Sequence, residues 1–120
     1  MGEDYFYKRF KSVTHSFIMN VYDVVPQFPT DERFGASDQL RRAAVSIMLN
    51  YVEGFGRKKE NVKRNFFEIS YGSLRECKYL IFLAKERKWI SFEQYQRLFD
   101  TLDEMGAMLW SMISGIEKQT

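Results

Sequence analysis

Five side chains between Gln39 and Arg57, in the segment QLRRAAVSIMLNYVEGFGR, are the first candidates for chemistry. Gln39, Arg42, Ser46, Asn50 and Glu53 recur at three- and four-residue steps. At about 100° per residue they fall on one narrow strip of a helix. Ser73 and Glu76, further along the chain, could meet that strip from a neighbouring helix. Amide, hydroxyl, guanidinium and carboxylate together could line a polar pocket for a ligand or nucleotide. They could equally form an internal hydrogen-bond network that fixes helix register and the choice of subunit. The residue types favour the network, because a carboxylate beside an Arg satisfies both charges and buried polar networks often specify pairing.

A second cluster follows directly. Arg57, Lys58, Lys59, Lys63 and Arg64 place five positive charges in eight residues, diluted by Glu60. Such a turn suits phosphate contacts, whose affinity comes from counterion release. It also suits an ordinary solvated turn, and both readings stand. Repetition of the patch in an oligomer would raise its effect steeply.

Enzymatic chemistry finds few parts. His15 is the only histidine and Cys77 the only cysteine, which is too few ligands for a zinc site. The repeated Glu-x-x-His pairs of a di-iron bundle do not occur. Gly54-Phe55-Gly56 has no Gly-Lys-Ser after it and is no phosphate loop. No catalytic residue, metal or cofactor is expected. The single Cys77 excludes a disulfide framework and fits a reducing compartment. No secretory signal or run long enough to span a membrane is present, so a cytoplasmic protein is expected. The net charge of +2 permits a nucleic-acid partner without demanding one.

Helices must position these groups. The polar strip runs between two apolar surfaces: Leu40, Ala43, Ala44, Ile47, Tyr51 and Phe55 on one side, Val45, Met48, Leu49 and Val52 on the other. An ordinary surface helix has a single apolar face, so this one should pack on two sides, the second against another subunit. Ser37 is the expected N-cap, with Asp38 in the first turn, and Gly54 and Gly56 the expected stop. Before it, Phe6, Phe10, Val13, Phe17, Val21 and Val24 repeat at helical spacing over about Tyr5 to Val25, until Pro26 and Pro29 intervene. Phe28 and Phe34, in that connection, should tuck against helix ends. A third helix is expected over about Asn61 to Lys88, with Asn61 a plausible cap and Val62, Phe66, Ile69, Ser73, Cys77, Leu80 and Ala84 inward. A fourth, capped by Ser91, should run to about Glu117. There Phe92, Tyr95, Phe99, Leu102, Met105, Leu109, Met112 or Ile113, and Ile116 make its stripe. Long helices with short turns predict one all-α domain over residues 1–120, an antiparallel up-down-up-down four-helix bundle.

The second helix and its flanks resemble a bacterial family, the four-helix-bundle proteins, also called the 23S ribosomal RNA intervening-sequence protein family. The matching pieces are Phe28-Pro29, Glu32, Gly35, the block from Gln39 to Ile47, Asn50, Glu53-Gly54 and Arg57, joined by Gly72-Ser73 and Glu76. The chain departs at Met48, where the family commonly has proline, and at Leu49, where it commonly has alanine. These changes should straighten the helix and enlarge its second apolar face. The resemblance implies homo-oligomers, as pentameric rings, of unsettled biochemical role. A related group serves as the accessory subunit of diversity-generating reverse transcriptases and binds nucleic acid and the transcriptase. This chain looks like the intervening-sequence branch.

Two functions follow. One is a non-enzymatic assembly that binds nucleic acid, RNA first, through the basic turn. The other is a structural or accessory scaffold for a separately encoded enzyme such as a reverse transcriptase. In both, Val45, Met48, Leu49 and Val52 are the expected oligomer interface.

Overall fold

The computed structural model of the chain describes residues 2–119, and side chains over 5–116. Four helices account for most of it: α1 Gly2–Val24, α2 Ala36–Phe55, α3 Glu60–Glu86 and α4 Phe92–Gln119. No strand occurs among the described residues. Each helix has an apolar stripe that no isolated helix could hide. The four stripes close over one continuous core, including Phe10, Phe17, Leu40, Ile47, Phe67, Ile81, Leu102 and Leu109. The chain is an all-α four-helix bundle.

Contacts between successive helices run in opposite chain order, as antiparallel neighbours require. Ser46 meets Ser73 while Ile47 meets Ser70. Lys78 meets Asp103 while Tyr71 meets Trp110. Arg9 on α1 is tied to Glu104 on α4 at 2.6 Å.

Helices α2 and α3 pack closely through small side chains. The Ser46 and Ser73 hydroxyls are 2.8 Å apart, and the Ser70 hydroxyl donates to the Ile47 carbonyl at 2.7 Å. Small side chains let the two backbones come this near. Gly54 makes the point most sharply. A Cβ there would stand 2.9 Å from the Phe67 ring and 3.0 Å from the Phe66 Cβ. Gly54 therefore lies inside α2 as a contact residue and does not end it. The helix stops one residue later, with Gly56 as C-cap at φ −80°, an ordinary right-handed conformation.

Other local expectations are corrected. Ser37 does not cap α2. It is buried in the first turn, and the Glu32 carboxylate reaches forward to accept from the Ala36 N–H at 3.1 Å. Asn61 lies inside α3, whose N-cap is Lys59. The inward stripe of early α3 is shifted by one residue, since Phe67 and Ser70 are buried where Phe66 and Ile69 were expected. In α4, Leu98 takes the core place expected for Phe99, and Phe92 is exposed. Phe28 is buried against Trp89, with ring centroids 5.0 Å apart, whereas Phe34 is 83% exposed.

The α3–α4 turn is closed from both ends. Trp89 N–H donates to Ala84 O at 2.8 Å and Lys88 N–H to Lys85 O at 2.9 Å. This is a Schellman ending, with Lys88 at φ 63° in the left-handed place that glycine usually fills. Ser91 then caps α4 as expected. Its hydroxyl accepts from Gln94 N–H at 3.1 Å, and its own N–H donates to the Gln94 side chain at 2.8 Å, a reciprocal capping box.

Candidate functional site

The polar strip of α2 opens into a groove of about 660 Å³ between α2 and α3, bordered by Asp38, Gln39, Arg42, Ser46, Ser73 and Glu76. Only its floor is a packed network. Asn50 donates through Nδ2 to the Ser46 hydroxyl and to the Ser46 carbonyl, each at 3.0 Å, and Ser46 meets Ser73. Gln39, Arg42, Glu53 and Glu76 are exposed on the chain. The Arg42 side chain is 80% open and pairs with Asp38, one turn back, at 3.6 Å. Glu53 is 51% open and pairs with Arg57, one turn ahead. Within the chain, the expected buried network of Gln39, Arg42, Ser46, Asn50, Glu53, Ser73 and Glu76 is thus reduced to three packed residues, Ser46, Asn50 and Ser73, and two ion pairs along the helix. The reason is rotational. Ser46 and Asn50 face α3, while the long side chains at the ends of the strip bend outward and find i, i+4 partners.

The groove offers hydrogen bonds but little reactivity. Among the described residues, the Ser46 and Ser73 hydroxyls of the groove bond each other and Asn50 and no carboxylate or imidazole, and His15 is exposed on α1. No cluster of three or more metal-ligating side chains occurs among the described residues. Cys77 and Tyr51 are strongly perturbed, and both are buried. Burial pushes the Cys77 thiol up to about 12, helped by the nearby Glu76 charge. Burial, with Tyr7 close by, pushes the Tyr51 phenol well above its ordinary range. The Tyr51 hydroxyl donates to the Tyr7 carbonyl at 3.3 Å. Both groups stay neutral at physiological pH and act as core.

The basic turn joins α2 to α3 at one end of the bundle. Its five cations divide into two kinds. Arg57 is held by Glu53, Lys63 lies 3.6 Å from Glu60, and Arg64 lies 3.5 Å from Glu68. Lys58 and Lys59 are exposed and make no ion pair among the described residues. The Arg57–Glu53 pair is about half open to solvent, so it is weak and exchangeable for another anion, whereas Lys63 and Arg64 are half-buried.

The second apolar surface of α2 is open. Leu49 is 62% exposed and Val52 about half, while Val45 and Met48 are half-buried. Val45 and Leu49 share a recess with Tyr22 of α1, and Met19 and Tyr22 are exposed. The α1 stripe is core from Phe10 onward, and only Phe6 at its start is exposed. Met105, Met108 and Met112 are buried within the chain. Sequence reasoning missed Asp38 as the partner of Arg42, although its i, i+4 spacing carried the signal.

The family model described as "23S rRNA-intervening sequence protein" matches residues 10–111. The fold matches the crystal structure of a protein of unknown function from the S23 ribosomal protein family of Bacteroides thetaiotaomicron. The TM-score is 0.80 at 22% identity, over 87% of this chain and 97% of that one. Neither description specifies a reaction. No curated protein matches.

Proposed function

The chain belongs to the 23S rRNA-intervening sequence protein family, and from that premise we propose that it is a non-enzymatic homo-oligomer, a ring of five copies in the bacterial cytoplasm, that binds nucleic acid through the α2–α3 turn. The observation that carries this reading is the pair Lys58 and Lys59, exposed and without ion pairs among the described residues at the tip of that turn, with Arg57 beside them. Base-reading motifs such as a helix-turn-helix or an RNA-recognition signature are missing from the sequence, so phosphate charge supplies the affinity. One such patch is weak, and repetition around a ring makes it effective. The open surface at Val45, Leu49 and Val52, continued by Met19 and Tyr22, supports assembly, because contiguous exposed apolar patches mark interaction sites. No helix among the described residues is long and apolar enough to cross a membrane.

The test is a salt-titrated binding assay with RNA and DNA, alongside light scattering. Binding should fall steeply with salt. A Lys58→Glu, Lys59→Glu, Lys63→Glu triple variant should lose most of it while keeping the oligomer mass. Leu49→Asp should dissociate the oligomer and keep the helical signal. An assembled protein that ignores both nucleic acids at low salt would overturn the reading. It would leave the open α1–α2 surface as evidence for an accessory scaffold.

A further inference from the structure

The basic turn does not stand alone at its end of the bundle. Phe55, the last residue of α2, is 49% exposed, and its ring rests edge-on against Tyr7 at 4.7 Å and 69°. Phe66 lies on the other side of the turn, and the Arg57 guanidinium covers its ring at 5.1 Å. That guanidinium also pairs with Glu53, so in the free protein an Arg plane lies against an aromatic face. Phe6, itself exposed, walls a recess of about 310 Å³ with Lys63, Ser111 and Met112. Cations and flat rings therefore share this end of the bundle, with the Glu53 and Glu60 carboxylates paired to Arg57 and Lys63 among them.

Phosphate contact alone gives no use for these rings. In a duplex the bases are stacked on one another, and an exposed Phe finds only sugar and phosphate. Unpaired bases present open π faces, which stack on aromatic rings and on Arg planes. From this juxtaposition we infer that the α2–α3 end of the bundle takes single-stranded nucleic acid, with bases on Phe55, Phe6 and the Arg57–Phe66 stack and phosphates on Lys58, Lys59 and Lys63. The inference rests on the reading of the turn as a nucleic-acid site and names what that site selects. The recess beside Lys63 receives a splayed base whose phosphate stays on the turn.

The experiment compares four probes on the intact protein by fluorescence anisotropy at low salt. They are a twelve-nucleotide single-stranded RNA, the same strand as DNA, the matched duplex, and an abasic phosphodiester chain of equal length. The single strands should bind at least about fivefold more tightly than the abasic chain, the lower end of what one stacked base contributes. They should also bind more tightly than the duplex. A Phe6→Ala, Phe55→Ala double variant should bring single strand and abasic chain level, with the salt dependence kept. Equal binding of all four probes, lost in the Lys58→Glu, Lys59→Glu variant, would overturn the single-strand inference and leave the basic turn as a phosphate site. Failure of every probe would overturn the site itself. If the double variant breaks the oligomer and loses all probes equally, the rings belong to the contact between copies, and the inference falls.

Discussion

Gly54→Ala tests the closeness of α2 and α3 directly. In an exposed helix interior, replacing Gly by Ala stabilises by about 1 kcal/mol. At Gly54 the new methyl would stand 2.9 Å from Cδ1 and Cε1 of Phe67 and 3.0 Å from Cβ of Phe66. The first two atoms belong to a fully buried ring stacked on Tyr51 at 5.7 Å and 14°, so the ring has nowhere to go. The third is the root of its side chain and moves only with the α3 backbone. Overpacking of this kind costs about 1–3 kcal/mol. Set against the propensity gain, the net loss should be about 1 kcal/mol, or roughly 3–5 °C in Tm for a chain of this size. Gly72→Ala is the control, because a Cβ there meets nothing within 4 Å. It should gain about 0.5–1 kcal/mol. Urea and thermal unfolding followed by helical circular dichroism, at one fixed protein concentration, would give both values. A Gly54→Ala variant as stable as Gly72→Ala would refute the close-packing argument.

Four further outcomes are expected. Glu53→Ala should change stability by less than about 0.5 kcal/mol in urea unfolding, since its pair with Arg57 is half-open to solvent; a loss of several kcal/mol would show Glu53 buried by a second copy. Thr14→Val should raise the urea midpoint by about 1 kcal/mol equivalent, because the Thr14 hydroxyl is fully buried without a partner among the described residues. Lys88→Gly should raise Tm by relieving the left-handed backbone at φ 63°, a gain of about 1 kcal/mol; an unchanged Tm would mean that the turn carries no strain. Stability should fall as pH climbs above 9.0, the ordinary Cys value, toward the folded value of about 12. Over that range the unfolded chain releases the Cys77 proton and the native chain keeps it. Cys77→Ala should flatten the first part of that decline in pH-dependent unfolding.

The fold was legible because long apolar periods leave few alternatives. The α1 stripe from Phe10 to Val24 and the α4 stripe from Leu102 to Ile116 are buried as their spacing requires. The Ser91 cap was readable because Gln94 stands three residues on. Early α3 was misread by one residue because Phe66 and Phe67 are both apolar, and periodicity alone cannot choose between adjacent rings. The choice was made by Gly54, whose missing side chain receives Phe67. Ser37 lost the cap to Glu32 because a carboxylate four residues before Ala36, at the end of a short 3₁₀ turn at Thr30–Glu32, can reach forward to the Ala36 N–H, and no local motif announces that. The polar strip was placed on the right helix with the wrong depth. Spacing gives direction around an axis, but side-chain length decides whether a group at the edge of a strip stays inside or reaches water.

The seam at Ser46, Ser70, Ser73 and Gly54 also bears on the order in which the molecule assembles. Its two helices are neighbours in the chain, joined only by residues 56–59, so their meeting costs little loop-closure entropy. Contacts of such short separation favour fast folding. The Arg9–Glu104 tie, by contrast, spans 95 positions and must wait for nearly the whole chain. The α2–α3 hairpin should therefore form early, as should the α3–α4 hairpin across residues 87–91, with the α1–α4 contact last. Lys58 and Lys59 sit at the tip of the first of these hairpins.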